Sequence, residues 1–281
     1  MTKPTVSPIE IIKIDGENIN HTHDLLAVEE PMEIRVGYGL PNGRKQKRIA
    51  VTMRTPGNDF ELAAGFLLTE GIIESIKQIY KIQYCTEANT VENLENIVRV
   101  ELTPEIEIDF GKLQRNFFTT SSCGICGKES IEAIKTVCRQ IVENTQLTIS
   151  RNIILSLPDK LRAQQNVFEY TGGLHACALF DKDGKLLLLR EDVGRHNALD
   201  KLIGASLSND SFKANTCILL LSGRASFELL QKATMAGIAI VCAVGAPSSL
   251  AAATAKEFHI TLIGFLRAER FNIYTNPQRI V

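Results

Sequence analysis

The chain has 281 residues, 44% of them apolar, and a formal net charge of −1, enough for one large or two modest domains with buried cores. That near-balance leaves no field favouring nucleic acid or an anionic membrane. The opening MTKPTVSPIEIIKIDGEN has no apolar signal core and no apolar run approaches a membrane span, so a cytoplasmic protein is expected, in which seven cysteines do not suggest a disulfide framework.

In chain order, MEIRVGYGL alternates Ile34, Val36 and Tyr38 with the period of a strand. Pro41-Asn42-Gly43 is a turn signal and RIAVTM alternates again, which predicts a hairpin. Its turn carries Arg44, Lys45, Lys47 and Arg48, read as a solvated tip with an anion contact as the alternative. DFELAAGFLLTEG predicts a helix closed by Gly71, and YKIQYC and NIVRVEL predict two strands. Residues 1–115 therefore read as an α+β domain. KESIEAIKTVCRQIVEN predicts a helix with Ile131, Ile134, Val137, Cys138 and Ile141 on its core face.

From about residue 150 the pattern becomes α/β, so residues 116–281 read as a cysteine loop followed by an α/β domain. TGGLHACALF and KLLLLRED predict strands joined at Asp183-Gly184. HNALDKLIGASL predicts a helix. CILLLSG, IAIVCAV and ITLIGFL are continuous apolar runs, which suits fully buried strands. Between them lie two helices, SFELLQKATMAG with Ser226 as N-cap and Gly237 beyond its end, and SSLAAATAKEFH with Ser248 as N-cap. Strand, helix and strand with short connections predict parallel pairing in a layered sheet. Ligands bind at the carboxyl ends of such strands.

TTSSCGICGKES sets Cys123 and Cys126 among small residues just before the helix at 128–144. The helix N-terminus and Lys128 both favour a thiolate. Four chemistries are weighed. A structural zinc needs four ligands, but Cys217 and Cys242 lie in apolar strand runs, Cys138 lies on a core face and Cys85 ends a strand. A thiol–disulfide oxidoreductase would use both thiols, but its motif is expected at the start of a β-α-β fold; it is kept as the alternative. Zinc deaminase chemistry lacks its general acid/base, because His175-Ala176-Cys177 stands where H-x-E is needed. A carrier that takes and passes on an atom needs an exposed nucleophilic cysteine on a mobile loop, here residues 117–127.

SSCGICGKESIE, GGLHACALF, REDVGRHNALDKLIG, SGRASFELLQKATMAG, AVGAPSSLA and GFLRAERFNIYT together resemble the formate dehydrogenase accessory protein family, FdhD, from about residue 30 to the C-terminus. The resemblance implies a sulfur carrier. A cysteine desulfurase would load Cys123 with a persulfide, with Cys126 as its partner thiol. The sulfur would pass to a molybdenum (or tungsten) bis-molybdopterin guanine dinucleotide, the substrate, before its insertion into formate dehydrogenase. The resemblance also implies a C-terminal cytidine deaminase-like fold without the zinc site, no resident metal, and a homodimer. The family's cofactor-contact segment falls on Phe265, Leu266, Arg267, Ala268, Glu269 and Arg270. Ala268-Glu269 departs from the glycine common there, and Glu269 suits a guanine edge or solvent better than a phosphate. Cys177 replaces a small apolar residue and is read as core.

The remaining motifs are weighed against that substrate. Arg195 and His196 stand just before a helix, where an anion is favoured, with a structural Asp192–Arg195 pair as the alternative. Gly223 allows close backbone approach, and Arg224 can clamp a phosphate. Ser248 and Ser249 read as capping, and His175 as a structural histidine. Glu191, Asp192 or Glu269 could accept from a guanine.

Overall fold

The structure is a computed structural model that describes residues 3–85, 95–106, 108, 147–208 and 214–281. Cys123, Cys126, Cys138, the loop at 117–127, the helix at 128–144 and the division at 115/116 lie outside the described residues.

The chain opens with two strands the sequence reading did not anticipate. β1 (Val6–Asp15) and β2 (Asn18–Ala27) pair antiparallel along their whole length around Gly16, whose φ of 61° suits the turn. β3 (Glu30–Tyr38) and β4 (Lys45–Arg54) form the predicted hairpin. Arg44 in its turn is structural, for its guanidinium binds Glu101 and the carbonyls of Gly37, Gly39 and Leu102. α1 (Asp59–Thr69) follows, with Gly71 at φ 69° beyond its end, as predicted. β5 (Ile79–Tyr84) and β6 (Ile97–Leu102) complete a four-stranded sheet in the order β4-β3-β6-β5. One face of it is apolar because alternation sends Met32, Ile34, Val36, Val98, Val100 and Leu102 inward.

Two further helices, α2 (Arg151–Arg162) and α3 (Asn166–Thr171), precede the second sheet and were also not anticipated. Then come β7 (His175–Phe180), β8 (Leu186–Asp192), α4 (Arg195–Leu207), β9 (Ile218–Leu221), α5 (Phe227–Met235), β10 (Ile240–Ala243), α6 (Ser249–Glu257), β11 (Thr261–Arg267) and β12 (Arg270–Thr275). The sheet order is β12-β11-β10-β9-β7-β8. β9, β10 and β11 are parallel, as their continuous apolar runs predicted. Ser248 caps α6 through Ala251 N–H, whereas Ser226 holds the N-cap position of α5 without a side-chain cap bond.

This sheet is buried on both faces. Ala176, Ala178 and Phe180 of β7 meet Ile154, Leu157 and Leu161 of α2. Cys177 and Leu179 point the other way, into a core shared with α4, α5, α6, α1 and the inner face of the four-stranded sheet. Helices α1 and α4 touch through glycines. A Cβ on Gly65 would overlap the Asp200 carbonyl, and one on Gly204 would overlap that of Glu61. Among the described residues no helix is long and apolar enough to cross a membrane.

Candidate functional site at the strand ends

The topology gathers one edge. β7 runs antiparallel to β9 and β8 antiparallel to β7, so His175 and Asp192 lie beside the carboxyl ends of β9 and β10. The same edge launches α4, α5 and α6, so three helix N-termini converge on it, an arrangement that favours anions.

Three loops lace together there. Gly245 N–H donates to Gly223 O at 2.8 Å, Ala225 N–H to Ala246 O at 3.2 Å, and Phe265 N–H to Gly245 O at 3.0 Å. A Cβ on Gly245 would lie 2.9 Å from the backbone of Arg224, and one on Gly264 would lie 2.7 Å from Pro247, so both positions need glycine. Arg267 Nη1 donates to Val244 O at 2.6 Å and ties the predicted contact segment to the end of β10. Phe265 holds φ at 52° and is 44% exposed. A bulky residue in the left-handed region is strained, and the strain here turns an aromatic ring outward. Leu266 is buried in the core. Ala268 and Glu269 form the turn into β12, with Arg270 exposed behind them.

Beside these loops lies a group of titratable side chains. His196 Nε2 is 3.4 Å from Ser226 Oγ and 3.9 Å from Glu228. Burial and then the Arg195 charge push its pKa down to about 4, against the pull of Glu228. His175 is lowered by the same two causes. Both rings are therefore neutral at pH 7, and Arg195 is the cation of the group. Arg195 Nε is buried and has no hydrogen-bond partner among the described residues. A buried donor left open costs on the order of 1–3 kcal/mol and suits an acceptor brought by a ligand. Arg224 is exposed on the next loop.

The alternative Asp192–Arg195 pair is not formed. Asp192 is fully buried and bonds Lys201 Nζ at 2.7 Å, Thr55 N–H at 3.1 Å and Gly194 N–H at 2.8 Å. Glu191 accepts from the first N–H groups of α3, those of Val167 and Phe168. Of the three carboxylates considered for a guanine, Glu269 is the exposed one.

A cleft of about 510 Å³ opens next to this edge, between α2, α3 and the ends of β9 and β10. His175, Ser222 and Val244 form its floor, and Arg162, Gln165 and Phe168 one wall. The Arg162 guanidinium lies 4.3 Å above the Phe168 ring, a stacked pair that offers both charge and a flat surface. The sequence reading missed this wall. Its one available signal was Ser150 followed by Ile154, Leu157 and Leu161 at helical spacing.

Among the described residues no three His, Cys, Asp or Glu side chains are grouped to hold a metal ion. Cys177, Cys217 and Cys242 are core residues, as expected, and burial pushes the Cys217 thiol up to about 11 and that of Cys242 to about 12. Neither is a thiolate at neutral pH.

The edge therefore brings together Arg195, His196, Arg224 and the segment from Phe265 to Arg270, from three separate stretches of chain. The profile of the FdhD/NarQ family matches residues 27–281. This chain belongs to the FdhD/NarQ family. Among its relatives, the sulfur carrier protein FdhD of Streptomyces coelicolor is 48% identical over 274 residues, covering 96% of this chain and 94% of that one. The sulfur carrier protein FdhD of Picrophilus torridus is 43% identical and covers 95% and 96% of the two chains. In fold, this family member is similar to the crystal structure of a protein described as a formate dehydrogenase accessory protein from Desulfotalea psychrophila. The TM-score is 0.73 at 23% identity, over 99% of this chain and 100% of that one.

Proposed function

We propose that this chain is a cytoplasmic sulfur carrier that delivers sulfur to a molybdenum (or tungsten) bis-molybdopterin guanine dinucleotide destined for formate dehydrogenase. The observation that carries the reading is the 48% identity, over 96% of the chain, to a relative named as a sulfur carrier protein. The strand-end edge supports the second half of it, because the buried Arg195 Nε has no acceptor among the described residues where three helices start.

The chemistry begins on the cysteine loop. The Cys123 thiolate attacks the outer sulfur of a persulfide on a cysteine desulfurase. The donor's S–S bond breaks, its cysteine leaves as a thiolate, and Cys123 carries the persulfide. Cys126 can then attack the inner sulfur of Cys123. That forms a disulfide and releases the outer sulfur as hydrosulfide, the two thiols supplying both electrons. At the receiving edge, Arg195 and Arg224 bind phosphates, Phe265 stacks on a flat ring, and Glu269 accepts from a guanine. His196 stays neutral, so it does not add to the cationic charge. In this reading the second domain has a cytidine deaminase-like fold without the zinc site, the protein holds no resident metal, and two copies form a homodimer.

Intact-mass spectrometry without reductant tests it. After incubation with a cysteine desulfurase and free cysteine, the protein gains one or more sulfur atoms that a reductant removes. Cys123→Ala abolishes the gain, while Cys126→Ala retains it. An unchanged mass, or only the loss of two hydrogens, moves the thiol–disulfide oxidoreductase reading ahead.

A further inference from the structure

The hairpin β1–β2 touches α3 through β2 and otherwise projects from the fold. Its ten-residue strands pair with each other and with no other described strand. At about 3.3 Å per residue it is an arm on the order of 33 Å long. Alternation and the Ile14–Ile19 pairing place Ile12, Ile14 and Ile19 on one face, where they are 60%, 71% and 66% exposed. A two-stranded ribbon with a bare apolar face is marginal in water. The outer edge of β2, NINHTHDLLA, carries no Pro, Gly or Lys to blunt it, so its free backbone groups are a template for a further strand.

The charge on the arm selects what covers it. Glu10, Asp15, Glu17 and Asp24 stand against Lys13 alone. The complement lies on this same chain. β4 is the outermost strand of its sheet, holds Lys45, Lys47 and Arg48 with no acid, and leaves Val51 and Met53 56% and 47% exposed. The arm joins that sheet at the other end. β3 begins at Glu30 opposite Arg54, whereas Lys45 lies opposite Tyr38. A second copy can bring its basic β4 edge to the arm, and two-fold symmetry then exchanges both arms and closes the assembly.

We infer that the β1–β2 arm of one chain docks along the β4 edge of a second copy, so that acidic and apolar residues of the arm meet Lys45, Arg48, Val51 and Met53. The inference rests on the homodimer of the proposed function and goes further by naming its surface.

Light scattering of the full chain over a dilution series tests it. The wild type has the mass of two chains. Ile14→Lys/Ile19→Lys and, separately, Lys45→Glu/Arg48→Glu each weaken dimerisation by about tenfold or more, the scale expected for a few exposed pairs counted twice by symmetry. Adding Glu10→Lys/Asp24→Lys to Lys45→Glu/Arg48→Glu restores it, a rescue that a merely misfolded variant cannot show. Equal melting temperatures confirm that the monomers stay folded. A dimer indifferent to all of these changes overturns the arm and leaves the homodimer standing. A monomeric wild type overturns both.

Discussion

The start and the middle of α4 treat charge in opposite ways. In its first turn, Arg195 keeps a buried nitrogen without an acceptor among the described residues, and His196 is driven neutral beside it. About a turn and a half later, Asp200 and Lys201 are 2% and 1% exposed with their partners in place. Lys201 bonds Asp192 and the Thr55 carbonyl, both at 2.7 Å. Asp200 bonds Thr69 at 2.8 Å and Lys232 at 3.0 Å, and Lys232 also reaches Glu70 at 3.0 Å. Buried ions that find their partners within the chain join the two sheets. At the edge where Phe265 to Arg270 also lie, Arg195 keeps a buried Nε that finds no acceptor among the described residues. The same helix therefore fixes the fold with its middle and presents chemistry with its start.

The largest effect should come from breaking a satisfied pair. Lys201→Met leaves Asp192 charged and without its counter-ion at zero exposure, which costs about 3–5 kcal/mol. A thermal melt should show a drop of many degrees. If the melt is unchanged, the fold does not depend on the pair and the contrast along α4 collapses.

The next effect sharpens the contrast through pH. Burial raises the Asp200 pKa from 3.8 to about 6 against the pull of Lys232. The folded state therefore takes up its proton before the unfolded state does. Asp200 alone makes the protein more stable as the pH falls from about 6 to about 4, by on the order of 1–3 kcal/mol. His196 works the other way. Its folded pKa of about 4 lies below the ordinary 6.5, so the unfolded state protonates first and stability is lost as the pH falls through the same range. The two slopes oppose one another in the wild type. Denaturation of Asp200→Asn across pH 4–6.5 should show the slope of the depressed histidines His196 and His175 without Asp200's opposition, with stability falling toward acid. A flat profile in that variant would mean that neither His196 nor His175 is depressed.

Much of this was legible in the sequence where burial is one-sided or complete. CILLLSG, IAIVCAV and ITLIGFL could only be fully buried strands, and the loops after them carried the glycines that the crossing backbones require. The arm was not legible because both its faces are exposed, so IEIIKID shows no division into an inner and an outer set. α2 was hidden by Pro158, normally a helix breaker, and α3 spans six residues. The alternative Asp192–Arg195 pair was suggested by a separation of three residues, whereas the Thr55 N–H that Asp192 binds arrives from 137 residues away. Contacts of that range leave no local pattern.

The smallest effect concerns the start of α4. Arg195 is the second cause of the low His196 pKa after burial. Arg195→Gln removes that repulsion, so the His196 ring should titrate above about 4 while remaining below the ordinary 6.5, because burial persists. The ring-proton shifts in an NMR titration read this directly. Guanosine diphosphate, which carries both the base and the phosphates of the proposed substrate, should bind the variant about tenfold more weakly, the scale of one charge-assisted hydrogen bond. Melting temperature should hardly move, since Arg195 Nε has no partner to lose among the described residues. A large fall in melting temperature with unchanged nucleotide binding would place Arg195 with Lys201 among the groups that hold the fold. The beginning of α4 would then differ from its middle in burial alone.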